Sequence, residues 1–352
     1  MAALSLFTRN NRSGVLFNQN DHGVQLARLA RLDERPVVVD AFAELAGAVD
    51  DDAISRWLRD QFPDRGPGYL TGYCGFHPVD RVLQRENVNT RRFAEPNFLP
   101  TLLAESAKLP SVKDWFVSAL NPVDGEPITA SSPPRTGLLL GLPTANIRDL
   151  QNRLRKLRIR PRRIEIGTLG LLGALTRHLR DTAYGNAVAV CEIGLGQTRV
   201  YFLAKDGVHT PATLPHGLLS IMEATMKEIS APGIGAARDA LLAPSEELRS
   251  HSRRLVRMLT RHLRPAIDYF EMQTGQPIGA LYCAHLPGNL GWLEEALCAA
   301  VDLPFFAPDL AAWVNTVGLR FPEGVATPNR SWFQALSLVA QLAPSPVHEQ
   351  RT

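Results

Sequence analysis

The chain has 352 residues, enough for about two domains and a large core. Hydrophobic residues make up 45% and charged residues 21%, which excludes disordered and collagen-like chains; there is also no run of about 18 apolar residues to span a membrane. The formal charge is +3, from 38 basic and 35 acidic residues. That balance does not by itself announce a nucleic-acid binder, although 33 of the 38 basic residues are arginine.

The first twelve residues, MAALSLFTRNNR, have no charged n-region and too few apolar residues for a signal peptide. Residues 13–49 read as a β-meander. Gly14–Phe17 is apolar, Asn18–Gly23 is turn-like, Val24–Leu29 alternates, and Asp33–Arg35 marks a turn before Pro36–Val39. Ile54, Trp57 and Leu58 then recur at helical spacing. After the breakers of residues 63–68, Tyr69–Phe76 and Val79–Leu83 read as short strands. Residues 96–120 read as helical with proline interruptions, and residues 121–136 as a loop.

From Gly137 the pattern becomes α/β. Leu138–Leu142 is a buried-strand candidate, Thr144 a helix cap, and Ile147, Leu150, Leu154 and Leu157 form one apolar face. Ile164–Ile166 reads as a strand and Leu169–Leu179 as a helix. A second meander follows in Asn186–Ile193, Thr198–Ala204 and Val208–Leu214. A helix-rich stretch runs from about 218 to 274, with Pro265 expected to bend or end a turn. Ile278–Ala284 is a strand, and Trp292–Val301 and Ser331–Leu342 are helices. The tail from Pro344 is polar. The two meanders share one plan half a chain apart, the mark of an internal duplication.

The four cysteines, 74, 191, 283 and 298, form no C-x-x-C pair or zinc-finger spacing. A reduced, buried role is expected, which fits a reducing cytoplasm.

Four segments carry candidate chemistry. In CEIGLGQT (191–198), Gly194 and Gly196 let backbone N–H groups approach an anion. Glu192 can hold a Mg²⁺-bound water, and Gln197 and Thr198 complete the turn. The competing reading is a tight hairpin whose glycines supply positive φ. In LYCAHLPGNLGWL (281–293), Gly288 and Asn289 sit where a nucleotide-cradling loop meets a helix N-terminus, or in an ordinary βα loop. His285 reads as a hydrogen-bonded loop residue, with no carboxylate or second histidine spaced to support it as a ligand or base. The run Arg153, Arg155, Lys156, Arg158, Arg160, Arg162 and Arg163 is either a phosphate-binding stripe or a solvated helix face. Residues 246–274 are the longest periodic segment, a packed amphipathic helix.

Taken together these pieces resemble the PilM family of type IV pilus assembly, actin-like proteins of the sugar kinase, Hsp70 and actin superfamily. LRPAIDYFEMQTGQPIGALYC (263–283) resembles that family's helix ending D-Y-x-x-x-Q-T-G and the strand leading to its adenosine loop. CEIGLGQTRVYFLAKDGV resembles its second phosphate loop, and LPHGLLSI (214–221) the segment after it. GLLLGLPTANIRDLQNRLRKLRIRPRRIEI resembles the strand–helix–strand closing its first subdomain. The resemblance implies a duplicated actin-like (ASKHA, ribonuclease H-like) α/β fold. Its first subdomain would span 1–68 and 137–184, with a small inserted subdomain at 69–136. The second domain would span 185–310, and residues 311–343 would return to the first before a tail at 344–352.

The same comparison exposes departures. The first phosphate loop of the family carries D-x-G, whereas FNQNDHG places Asn18 at the aspartate and Asn20 at the glycine. An amide has no charge to organise Mg²⁺ or water. In the second loop the aspartate is Glu192, and the adenosine loop reads His285-Leu286-Pro287 before Gly288. The resemblance therefore implies a vestigial nucleotide pocket around Asn18, Asn20, Glu192, Gly194, Gly196, Gln197, Thr198, Gly288 and Asn289, with no catalytic residue and no metal ligand. The expected function is a non-enzymatic cytoplasmic scaffold beneath an inner-membrane pilus or type II secretion platform. It would bind the short cytoplasmic tail of a PilN-like membrane protein in a groove of the first domain, as a homo-oligomer or ring. Two alternatives stand beside it: an active actin-like ATPase or kinase, for which ATP and Mg²⁺ would be the cofactors, and nucleic-acid binding through the arginines.

Overall fold

A computed structural model of the chain describes residues 13–340, apart from 31, 33–35, 48, 67, 134 and 326. The expectations for the N-terminal dozen residues, the turn at 33–35 and the tail from 344 lie outside the described residues. In chain order the elements are β1 (Gly14–Asn20), β2 (Gly23–Ala30), β3 (Val37–Ala46), α1 (Asp51–Gln61), β4 (Leu70–Phe76), β5 (Val82–Val88), α2 (Phe98–Ser106), β6 (Trp115–Leu120), β7 (Arg135–Pro143), α3 (Thr144–Lys156), β8 (Ile159–Ile166) and α4 (Gly167–Asp181). Then come β9 (Ala187–Ile193), β10 (Thr198–Ala204), β11 (Gly207–Leu214), α5 (Leu218–Glu228), α6 (Ile234–Leu242), α7 (Glu246–Ser250), α8 (Ser252–Leu255), α9 (Arg257–Thr274), β12 (Ile278–Ala284), α10 (Gly291–Val301), α11 (Leu310–Thr316), β13 (Leu319–Arg320) and α12 (Trp332–Ala340).

The duplication is plain in the topology. One sheet contains the order β3-β2-β1-β4, and the other is β11-β10-β9-β12. In each, three strands form an antiparallel meander and a fourth runs parallel to the first. The first sheet is widened to six strands by β8 and β13.

Strand alternation sorts the side chains into layers, because successive residues point to opposite faces. On β1, Val15 and Phe17 face the core under α1 and α3, while Leu16 faces the centre of the molecule. On β9, Ala187, Ala189, Cys191 and Ile193 join the core under α5, α9 and α10, while Val188 and Val190 face the centre. The central core lies between the two sheets and contains α4 and α12. Helix α12 (WFQALSLVA) is apolar nearly all round and buried at every position, as a helix sandwiched on all sides must be. It packs on α4, β1 and β4, so this helix closes onto the first sheet. All four cysteines are free and buried, as expected; burial pushes the Cys74 thiol up to about 12.

Several local expectations are corrected. Strand β1 runs on through Asn20, so the turn is only Asp21-His22: Asn20 pairs with Gly23 across it. Trp115–Leu120, expected to be helical, is strand β6, because the central strand β7 supplies a full antiparallel ladder beside it. The expected unit at 69–136 is shifted. Strand β4 belongs to the six-stranded sheet, and the separate three-stranded sheet β5-β7-β6 is drawn from 82–143. Thr144 is the first helical residue rather than the cap, and its hydroxyl donates to the Asp114 carbonyl (2.6 Å). The segment 246–274 breaks into α7, α8 and α9, and α9 continues through Pro265. The arginine run divides between elements. Arg153, Arg155 and Lys156 occupy the last turn of α3, whereas Arg160, Arg162 and Arg163 lie on β8.

Candidate functional site

The central face of each sheet turns polar at one end. Continuing the alternation past Leu16 places Asn18 on that face of β1, and continuing past Val188 and Val190 places Glu192 there on β9. Both side chains are about 1% exposed. Around them converge His77 and Arg81, just after β4, Thr168 at the start of α4, Tyr201 on β10, His285 after β12 and Gln334 on α12.

Glu192 is the hub. Its Oε2 lies 2.6 Å from Arg81 Nη2 and 3.3 Å from the Tyr201 hydroxyl, which donates to it. Its Oε1 accepts from the Thr168 hydroxyl at 2.6 Å and lies 3.3 Å from His285 Nε2. Arg81 is itself anchored by donating to Thr168 Oγ1 (3.0 Å) and the Pro78 carbonyl (2.8 Å). Burial alone would raise the Glu192 carboxyl, but Arg81 and the histidines override it and hold the group well below the usual carboxylate range. Burial likewise works against the Arg81 charge, and Glu192 outweighs it. His77 is pushed down to about 3 by burial and by neighbouring His285, so its ring is neutral.

His77 links the hub to the first sheet. Its Nε2 lies 3.3 Å from Asn18 Oδ1 and 3.2 Å from Gln334 Nε2. Asn18 Nδ2 donates to Gln25 Oε1 (3.1 Å), and Gln25 Nε2 donates to the Ser331 carbonyl (3.3 Å). Asn18 is thus fully engaged by protein groups.

The two equivalent hairpins meet tip to tip. Asn20 Oδ1 accepts from the backbone N–H groups of His22 (2.8 Å) and Gly23 (3.1 Å), fixing the β1–β2 turn. This presents the Asp21 carboxylate to the second loop, where the Leu195 N–H donates to it at 3.3 Å. The His22 ring contacts the Ile193 carbonyl at 2.7 Å. Neither Gly194 nor Gly196 has positive φ, so the hairpin reading of these glycines is wrong in its reason. Gly194 eases the close approach of the two loops, because a Cβ there would lie 2.9 Å from Asp21 Oδ2 and 3.0 Å from the Gln197 carbonyl oxygen. Gly196 faces open space. The anion that the loop receives is therefore the chain's own carboxylate. Gln197 Nε2 donates to the Val79 carbonyl (3.1 Å), and the Thr198 hydroxyl to the His216 carbonyl (2.8 Å). The N-terminal N–H groups of α5 are also taken: Leu218 and Leu219 donate to the Gly194 and Leu195 carbonyls at 2.9 and 2.8 Å.

The third loop is contacted by the returning chain. A Cβ on Gly288 would lie 2.1 Å from Asn329 Nδ2. Arg330 Nη2 donates to the Gly291 carbonyl at 3.2 Å. Asn289 is exposed. Between Asn20, Gln25, His285 and Gln334 there remains a cavity of about 10 Å³, room for about one water.

His285 is the hydrogen-bonded loop residue expected, but it is not without partners. The second histidine and the carboxylate absent from its sequence neighbourhood are supplied by the fold, as His77 and Glu192. Sequence reasoning also passed over His77, Arg81, Thr168, Tyr201 and Gln334. The segment Phe76-His77-Pro78 carried no periodic signal, and Arg81 stands 111 positions from the carboxylate it meets.

The whole chain aligns with one chain of a PilM–PilN type IV pilus biogenesis complex at a TM-score of 0.70 and 14% identity, covering 96% of this chain and 100% of that one. The chain has the PilM fold. This is the duplicated actin-like α/β fold expected from the sequence. More distant likenesses are to the ethanolamine utilization protein EutJ from Carboxydothermus hydrogenoformans (TM-score 0.49, 9% identity, 93% of this chain and 89% of that one). Another is a Bacteroides thetaiotaomicron protein with an actin-like ATPase fold (TM-score 0.46, 8% identity, 98% and 100%). No protein-family model matches the chain, and no curated protein matches it.

On the PilM fold, the three loops that the sequence assigned to a nucleotide pocket do meet across the centre of the molecule. A second opening lies elsewhere: a groove of about 1410 Å³ between the three-stranded sheet and the first sheet. Leu140, Leu142, Leu169 and Leu172 are among its lining residues, with half-exposed Phe116 at its side. Among the described residues, no helix is long and apolar enough to cross a membrane.

Proposed function

We propose that this chain is a cytoplasmic, PilM-like scaffold of a type IV pilus or related secretion platform, that it docks the cytoplasmic tail of a PilN-like inner-membrane protein, and that it does so without hydrolysing ATP. The observation that carries the last point is the buried Arg81–Glu192 pair. In the catalytic reading Glu192 holds a Mg²⁺-bound water; here a guanidinium takes that charge. Mg²⁺ takes an all-oxygen shell, and beside Glu192 it would meet the Arg81 guanidinium and two imidazoles instead. The residues present do not fit Mg²⁺–ATP in the other loops either. Asp21 holds the N–H that a phosphate would use, and Asn329 and Arg330 fill the adenosine side.

Support for the partner comes from the PilM fold and from the groove beside the inserted sheet. A mostly apolar groove with polar rims suits a short peptide anchored by a few apolar side chains. The two readings separate in solution. Calorimetric titration of the full chain with ATP–Mg²⁺ should give no binding and no phosphate release; micromolar binding with turnover overturns the inactive reading. Titration with synthetic tails of PilN-like proteins from the same host should give one tail that binds equally with and without ATP. Phe116→Asp should weaken it while leaving the circular dichroism unchanged. Failure of every such tail overturns the scaffold.

A further inference from the structure

The filled pocket also has the geometry of a metal site. His77 Nδ1, His285 Nε2 and Glu192 Oε1 lie 3.0, 3.3 and 3.7 Å apart in pairs, all within 4.8 Å of one another. Three ligands of a tetrahedral ion with bonds of about 2.0–2.1 Å stand about 3.3 Å from each other. A point therefore exists that is at bonding distance from all three atoms, with no movement of any of them beyond a few tenths of an ångström.

The surroundings hold these atoms in place. His285 adopts a left-handed backbone conformation, φ 74°, which is costly for a residue with a Cβ and persists only where the surroundings enforce it. His77 fits only because residue 167 is glycine: a Cβ there would lie 2.1 Å from the imidazole. The far nitrogen of His77 reaches the Asn18 carbonyl oxygen, the kind of second contact that fixes the ring of a metal-binding histidine. Arg81 and Tyr201 engage Oε2 of Glu192, while Oε1, which accepts from the Thr168 hydroxyl, also faces the histidines. His285 also borders the one-water cavity.

We infer that His77, Glu192 and His285 form a binding site for a divalent transition-metal ion of the zinc type, which ties the two sheets together where other actin-like proteins would hold a nucleotide. Two imidazoles and one carboxylate suit Zn²⁺ and Co²⁺ rather than the all-oxygen shell of Mg²⁺. His77 follows β4 of the first sheet, whereas Glu192 ends β9 and His285 follows β12 of the second. The ion would therefore act as a cross-link between halves and not as a catalyst. The site needs no membrane partner and no nucleotide, so its fate is separate from that of the scaffold reading.

The test is titration of the metal-free full-length chain with Co²⁺ alone, then with Zn²⁺. A single equivalent of Co²⁺ should raise a visible d–d band, Zn²⁺ should abolish it at equal stoichiometry, and Zn²⁺ should raise the melting temperature. His285→Ala, on a loop, should remove the band while keeping the far-ultraviolet circular dichroism. Asn18→Ala should weaken metal affinity by about 10–100-fold. A folded wild-type chain that gives no band overturns the site, and so does a band that survives in both His285→Ala and His77→Ala, since other surface histidines would then be the ligands.

Discussion

Arg81 Nη2 lies 2.6 Å from Glu192 Oε2, with the two side chains 2% and 1% exposed. Arg81 follows β4 of the first sheet and Glu192 ends β9 of the second, so one ion pair joins the halves at their polar seam. Removing one partner strands the other as a buried charge. Arg81→Ala should therefore cost about 3–5 kcal/mol of stability. Replacing both, as Arg81→Met with Glu192→Leu, should recover most of that loss, because a packed apolar pair needs no desolvation. Urea denaturation of the three variants checks both expectations.

Two glycines, Gly196 in the loop after β9 and Gly217 at the N-cap of α5, differ in what a Cβ would meet. A Cβ on Gly217 would meet the Gly194 and Leu195 carbonyl oxygens at 2.4 and 2.7 Å and the Gln197 nitrogen at 2.8 Å, all backbone atoms. Gly217→Ala should cost more than about 2 kcal/mol, since backbone cannot rotate away as a side chain can. Gly196 faces open space, and Gly196→Ala should stay within about 0.5 kcal/mol. Thermal melts of the pair are sufficient.

Glu294 on α10 gives a pH dependence. Burial raises its carboxyl to about 7, even with Arg330 against it. Arg330 is 37% exposed, so water screens its pull while burial acts on Glu294 in full. The folded pKa is above the unfolded value, so the folded state holds the extra proton. Stability from this group is full below about pH 4.5 and is lost as pH rises through about 7. Wild type should weaken relative to Glu294→Gln between pH 5 and 8 by about 3 kcal/mol. Equal slopes in paired denaturation curves would contradict this.

Phe333 on α12 is 1% exposed and packs on Trp313 at 4.4 Å and Tyr282 at 6.1 Å between ring centroids. Tyr282 belongs to the second sheet, whereas α12 lies on the first. Phe333→Ala should cost about 3–5 kcal/mol and should do so in one cooperative transition, because the lost contact is shared by both halves. Two separated transitions in calorimetry would show that α12 does not couple them.

Local patterns carried the regular elements well. Both meanders, α1, α3, α4, α10 and β12 follow from periodicity and turn residues, and the repeated strand plan appears in the two sheets as β3-β2-β1-β4 and β11-β10-β9-β12. Expectations failed where long-range pairing overrides local preference. Trp115–Leu120 becomes a strand only because Arg135–Pro143 lies beside it, and β4 joins the first sheet only by pairing between β1 and β8.

The sequence by itself determined the duplicated α/β plan, the buried reduced cysteines, and the amide at position 18 and longer carboxylate at position 192 in the loops where a nucleotide pocket would lie. Those properties reside in residue identity and near-neighbour spacing. Tertiary structure alone decided what occupies the centre. His77 and Arg81 meet Glu192 across more than a hundred residues, and Asp21 reaches the Leu195 N–H across 174. Such meetings depend on how two sheets are set against each other, and no local interaction in the chain encodes that distance.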